Sequence, residues 1–146
     1  MMKKVSIVYW SGTGNTQEMA EAVAAGAEVG GAEVKVVSVD KASIEELLSS
    51  DAIALGCPSM GAEELEEQEM EPFVTELEKE NLEGKPLALF GSYDWGDGQW
   101  MDEWEERMKK TGANLVDDGL KINDAPDQEG LEACRDLGKQ LASRSI

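Results

Sequence analysis

Val5-Ser6-Ile7-Val8-Tyr9-Trp10-Ser11-Gly12-Thr13-Gly14-Asn15-Thr16-Gln17 is an apolar run that breaks into a glycine- and hydroxyl-rich turn and then into a helical pattern. A strand that ends in such a turn and restarts as a helix leaves backbone N–H groups unpaired at the helix N-terminus, where the helix dipole favours an anion. Ser11, Thr13, Asn15 and Thr16 add side-chain donors, so the segment reads as a phosphate cradle. It holds no lysine or arginine and does not fit the GxxxxGKS/T pattern of a nucleoside triphosphate loop. It also fails the GxGxxG pattern of a dinucleotide site, because Gln17 stands where the third glycine belongs. A phosphate monoester is the expected ligand, and an ordinary capped strand-to-helix turn is the alternative.

Working outward, Thr16 to about Glu28 sets Met19, Val23 and Ala27 on one helical face beside Ala20 and Ala24, and Gly30-Gly31 stops that helix. Glu33 to Val39 is rich in β-branched residues and reads as a strand ending near Asp40. Ser43 and Glu46 form a capping-box pair ahead of Leu47 and Leu48. Ala52 to Gly56 is short and continuously apolar, as in a central parallel strand covered on both faces. A long polar connection from Cys57 to about Glu69 leads into a helix carrying Phe73, Val74 and Leu77, and connections of that length are usually functional. Pro86 to Ser92 is the fourth strand, followed by a second glycine-rich loop, Tyr93-Asp94-Trp95-Gly96-Asp97-Gly98, and a helix with Met101, Trp104 and Met108 at helical spacing. The last extended region, Leu115-Val116 and Leu120-Lys121-Ile122, is broken by Asp117-Asp118-Gly119. A closing helix after Pro126 turns Leu131, Cys134, Leu137, Gly138 and Leu141 inward. Five strands alternating with helices predict an α/β, doubly wound parallel sheet with helices on both faces. Ligands of such sheets sit beyond the carboxyl ends of the strands at the topological switch point, where the loops after strands one, three and four would gather.

The chain of 146 residues is expected to form one domain over 1–146, large enough to bury about two-thirds of its unfolded surface. Its 31 acidic and 13 basic residues give a formal charge of −18, which repels nucleic acid and anionic membranes and steers basic protein partners inward. Neither nucleic acid nor a membrane is an expected partner. The apolar run after Met1-Met2-Lys3-Lys4 stops at Ser11-Gly12, short of a signal-peptide core, so a cytoplasmic location is expected. Cys57 and Cys134 are too few for a metal cluster or a disulfide framework, and no metal is expected. There is no histidine, which removes histidine triads, histidine metal sites and the usual general base for neutral pH.

With these residues in view, the chain resembles the flavodoxins, specifically the short-chain flavodoxins of anaerobic bacteria. The likeness runs nearly end to end through Ser11-Gly12-Thr13-Gly14-Asn15-Thr16, Met60-Gly61-Ala62-Glu63 with its acidic continuation, and Phe90-Gly91-Ser92-Tyr93-Asp94-Trp95-Gly96-Asp97-Gly98. It implies a five-stranded sheet in the order 2-1-3-4-5 and FMN bound non-covalently by Ser11, Gly12, Thr13, Gly14, Asn15, Thr16, Pro58, Ser59, Met60, Gly61, Ala62, Glu63, Ser92, Tyr93, Asp94, Trp95 and Gly96. It implies an electron carrier and not an enzyme: a low-potential, monomeric substitute for ferredoxin that passes between oxidised, semiquinone and hydroquinone states. Redox proteins would dock transiently on its acidic flavin-edge face, more weakly as salt rises.

A flat apolar ring needs large side chains over it, and Met60 and Trp95, on two loops at the expected mouth, suit that task. Trp10 matches a family position near the ribityl chain, whereas Trp100 and Trp104 are expected to pack the following helix. The resemblance gives Gly61 the redox-linked peptide flip, a change of backbone state that glycine tolerates cheaply. It gives Glu63 a hydrogen bond from the flavin pyrimidine edge. Glu64, Glu66, Glu67, Glu69 and Glu71 read as a solvated acidic face. Each such charge, at about 10 Å in a water-like medium, opposes reduction by roughly 0.4 kcal/mol, or about 20 mV. The chain departs from the family pattern at Pro58-Ser59, which displaces the hydroxyl usual after the cysteine, at Ala62, and at Asp94, whose carboxylate would further disfavour an anionic hydroquinone. Cys57 reads as a small buried residue at a strand end, since a low-molecular-weight phosphatase loop would carry arginine where Glu63 stands.

Overall fold

The computed structural model describes residues 3–12, 14–60, 64–94, 96 and 98–143. Strand β1 (Lys4–Tyr9) leads into helix α1 (Asn15–Val29), and β2 (Glu33–Ser38) runs through a short 3-10 turn at Val39–Lys41 to α2 (Ile44–Ser49). Then come β3 (Ala52–Gly56), α3 (Met70–Glu78), β4 (Pro86–Tyr93), α4 (Gln99–Lys109), β5 (Asn114–Leu115), β6 (Leu120–Asn123) and α5 (Gln128–Ser143). Every strand pairing is parallel, in the order β2-β1-β3-β4-β5, with β6 also on β4. This is the expected doubly wound 2-1-3-4-5 sheet. The fifth position is shared by two short strands, because Pro86 and Leu87 of β4 pair with β5 whereas Phe90 to Tyr93 pair with β6. The Asp117-Asp118-Gly119 interruption falls between them.

Alternation along each central strand sorts side chains onto two faces. Val5 and Ile7 of β1, Ala52 and Ala54 of β3, and Ala88 and Phe90 of β4 meet α1 and α5. Val8, Ile53, Leu55, Leu87 and Leu89 meet the side covered by Leu47 of α2, Val74 and Leu77 of α3, and Trp100, Trp104 and Met108 of α4. Each fully buried leucine or isoleucine contributes roughly 2–3 kcal/mol by leaving water. The first face is built of small residues, so α1 and α5 come very close. A methyl group at Gly26 would overlap the Arg135 carbonyl, and one at Gly138 would overlap the carbonyl of Val23. The inward set expected on α1 (Met19, Ala20, Val23, Ala24, Ala27) is buried throughout. At α2 the Ser43 side chain accepts from the Glu46 N–H at 3.4 Å, half of the expected capping box.

β1 sits between β2 and β3, so the chain leaves β1 toward one side of the sheet and leaves β3 toward the other. The two exits diverge and open a crevice at the carboxyl edge.

Gly138→Ala forces α5 away from α1, and we expect it to cost about 1–3 kcal/mol in urea denaturation despite the better helix propensity of alanine. A neutral or stabilising change would mean that the helices do not touch there.

Candidate functional site

The loop after β1 is shaped by two local devices. Gly14 precedes α1 at φ 101, in the left-handed region that suits glycine, and has no side chain of its own to cap the helix. Ser11 Oγ accepts from the Gly14 N–H at 3.0 Å and the Gln17 N–H at 3.3 Å, which curls the loop over the helix start. Thr16, buried in the first turn, brings Oγ1 to 3.2 Å from Ser92 Oγ and so ties this loop to the end of β4. The Ser59 N–H donates to the Ser92 carbonyl at 3.0 Å, tying the loop after β3 to the same residue.

These loops enclose a cleft of about 360 Å³ lined by Trp10, Ser11, Gly12, Asn15, Thr16, Pro58, Ser59, Met60, Ser92, Tyr93, Asp94 and Asp124. Of the site residues expected from sequence, Ser11, Gly12, Asn15, Thr16, Pro58, Ser59, Met60, Ser92, Tyr93 and Asp94 are brought together. Gly14 sits behind the loop at the helix start, and Gly96 is exposed at φ 87. Thr13, Gly61, Ala62, Glu63 and Trp95 lie outside the described residues. Asp124 was not anticipated. It follows β6 at φ 60 and its N–H donates to the Tyr93 carbonyl at 2.7 Å. The signal was present, because Asn123-Asp124 is a pair that tolerates left-handed backbone directly after a strand ending at the same edge.

One end of the cleft offers hydroxyl and amide donors beside the N-terminus of α1. The other presents Met60 and Tyr93, and Trp10 lines the wall over Gly12. Among the described residues no lysine or arginine lines it. A ligand with a phosphate at one end and a flat apolar body at the other matches that division. FMN has this shape, so the residues present fit it.

The acidic stretch beside the cleft is not uniformly solvated, which corrects the sequence reading. Glu66 is buried, and its carboxylate accepts from the N–H groups of Gln68 (2.9 Å), Glu69 (2.8 Å) and Met70 (3.0 Å). Burial alone would raise its pKa, but these three bonds at the start of α3 outweigh it and hold the pKa below the ordinary value. Glu71 is also engaged: Arg107 of α4 grips both its oxygens at 2.8 and 2.7 Å and reaches Glu78 at 2.7 Å. The Arg107 bond lowers the Glu71 pKa. Glu64 and Glu67 are exposed as expected. Cys57 is fully buried and burial pushes its thiol up to about 12, so it is no nucleophile at neutral pH. The Trp100 indole N–H donates to the Cys57 carbonyl at 3.1 Å, and Trp100 and Trp104 pack α4 as expected.

Fold and cleft together define a doubly wound α/β protein with a switch-point site for a phosphorylated, ring-bearing cofactor. The flavodoxin family model matches residues 7–138. The flavodoxin of Clostridium beijerinckii is 47% identical over 139 residues, covering 95% of this chain and 99% of that one. The Megasphaera elsdenii flavodoxin is 45% identical over 138 residues, covering 94% and 98%. The solution structure of the two-electron reduced Megasphaera elsdenii protein superposes with a TM-score of 0.87, at 44% identity over 96% of this chain and 99% of that one. An archaeal flavodoxin structure gives a TM-score of 0.88 at 35% identity, over 95% and 96%. The chain belongs to the flavodoxin family. It is therefore an electron carrier and not an enzyme, its cofactor is FMN, and it exchanges electrons with redox partners. Among the described residues no helix is long and apolar enough to cross a membrane.

A carboxylate whose pKa is lowered on folding stabilises the fold fully above its unfolded value, and that stability is lost as pH falls through the folded value. Glu66→Gln should therefore cost about 1 kcal/mol near neutral pH, with the gap to wild type narrowing in acid below 4.5. Urea denaturation across that range reads it, and a gap independent of pH would remove the charge from the cap.

Proposed function

We propose that this chain is a low-potential, one-electron carrier that can take the place of ferredoxin, acting in the cytoplasm as a monomer of one domain over residues 1–146. The observation that carries the reading is the cleft itself: neutral donors at the phosphate end, Met60 and Tyr93 at the ring end, and carboxylates around the mouth. When bound there, FMN supplies two successive one-electron steps.

Ser11, Gly12, Asn15, Thr16 and Ser59, with Thr13 and Gly14 by resemblance, hold the phosphate through hydroxyls, amides and the α1 N-terminus. No cation is needed. Ser59 takes over the hydroxyl that Pro58 displaces. Met60, with Trp95 by resemblance, covers the ring, Ala62 belongs by resemblance to the turn between Gly61 and Glu63, and Ser92, Tyr93, Asp94 and Gly96 follow the polar edge of the ring. Glu63 accepts from the pyrimidine edge. Asp94 and Asp124 add negative charge at the wall, so an added electron is opposed by carboxylates with no lining cation among the described residues to offset them, which supports a low potential. The same charges form the face on which basic redox proteins dock.

Stepwise anaerobic reduction of the FMN-loaded protein, followed by absorbance, tests the reading. A transient long-wavelength band that grows and then bleaches is expected, with both midpoint potentials below those of free FMN. Direct passage to the fully reduced form would refute the one-electron role. Gly61→Ala, which hinders the assigned peptide flip, should lower the first one-electron potential and raise the second. An unchanged pair would take Gly61 out of the switch.

A further inference from the structure

The loops around the cleft are joined in a triangle. Thr16–Ser92 joins the phosphate loop to the end of β4, and Ser59–Ser92 joins that strand end to the loop after β3. The third side is made by Trp10, whose indole N–H donates to Glu69 Oε1 at 3.1 Å. Trp10 is half-buried and lines the cleft. Its six-membered edge lies over Gly12, where a Cβ would sit 3.1 Å from Cη2 and 3.3 Å from Cζ3. One end of the indole therefore packs on the phosphate loop and the other is tied to the residue that precedes α3.

Glu69 is itself anchored. Its backbone N–H is held by Glu66 at 2.8 Å, and the Glu66 N–H donates to Cys57 Sγ at 3.4 Å, at the end of β3. An unbroken path thus runs from Gly12 through Trp10, Glu69 and Glu66 to Cys57, spanning both ends of the loop that carries Met60. The acidic face expected from sequence contains a carboxylate bound in a specific geometry.

We propose that Trp10 and Glu69 form a strap of positioning residues, which locks the phosphate loop and the loop after β3 into one arrangement and thereby sets how tightly the cleft holds its flavin. The proposal rests on the cleft being the FMN site. The interaction is a hydrogen bond from a neutral indole and not an ion pair, so its geometry does not need a charge at position 69. An amide acceptor at position 69 keeps it, and loss of either partner removes all of it.

Apoprotein titrated with FMN, read by quenching of flavin fluorescence, separates the possibilities. Trp10→Phe, which loses the N–H together with the indole edge over Gly12, and Glu69→Ala, which loses only the acceptor, should each raise the dissociation constant about 5–10-fold. The double variant should bind no more weakly than the weaker single one, since both changes break the same bond. Glu69→Gln should stay within about twofold of wild type, a rescue that a purely electrostatic role would not allow. Losses that multiply in the double variant, a Glu69→Gln as weak as Glu69→Ala, or a Trp10→Phe that binds like wild type would each overturn the strap. A wild-type apoprotein that takes up no FMN would overturn the reading of the cleft as well.

Discussion

Parallel pairing of β1 with both β2 and β3 is the constraint from which the rest follows. Because β1 is flanked on both sides, the crossovers that follow β1 and β3 must cover opposite faces of the sheet. Their first residues separate at the carboxyl edge, and the gap between them is the cleft. The Trp10 N–H donating to the Gly56 carbonyl at 3.0 Å is the last link of the β1–β3 seam. Beyond it the backbones part, and Ser11 and Pro58 line the cleft between them.

The two faces solve their packing differently. Where Ala52, Ala54 and Ala88 form the sheet surface, two long helices lie close together and meet through Gly26 and Gly138. Where Ile53, Leu55, Leu87 and Leu89 form it, the bulk comes from the sheet, and α4 adds Trp100 and Trp104. Trp100 also serves the site edge, because its N–H holds the Cys57 carbonyl where β3 ends. Core packing and loop placement are thus joined in one side chain.

Charge in this chain does more than solvate it. Of the carboxylates between β3 and the first turn of α3, Glu66 caps a helix, Glu69 meets an indole and Glu71 is clamped by Arg107. Glu64, Glu67 and Glu69 stay exposed and set the surface potential, and only Glu69 of these three also holds the indole. A helix cap is worth about 1 kcal/mol and an exposed charge far less to stability, so the same residue type takes unrelated roles according to what its neighbours lack.

The sequence by itself determined the succession of elements, the sheet order through its likeness to a family, and the phosphate loop, because these depend on local periodicity, turn chemistry and contiguous motifs. β3 over Ala52–Gly56 and the inward face of α1 were legible for that reason. Five strands were read where the fifth position is made of β5 and β6, since the break at Asp117-Asp118-Gly119 was visible but not the way both halves keep their pairing with β4. The contacts that shape the site were decided only by tertiary structure. Trp10 and Glu69 are separated by 59 positions and Thr16 and Ser92 by 76, and no local pattern states which distant side chains will meet. Glu66 could not be told from its acidic neighbours until the start of α3 was in place, because a cap is defined by the backbone N–H groups it satisfies. Asp124 joined the cleft for the same physical reason: parallel pairing with β4 carried the end of β6 to an edge that its own sequence could not specify.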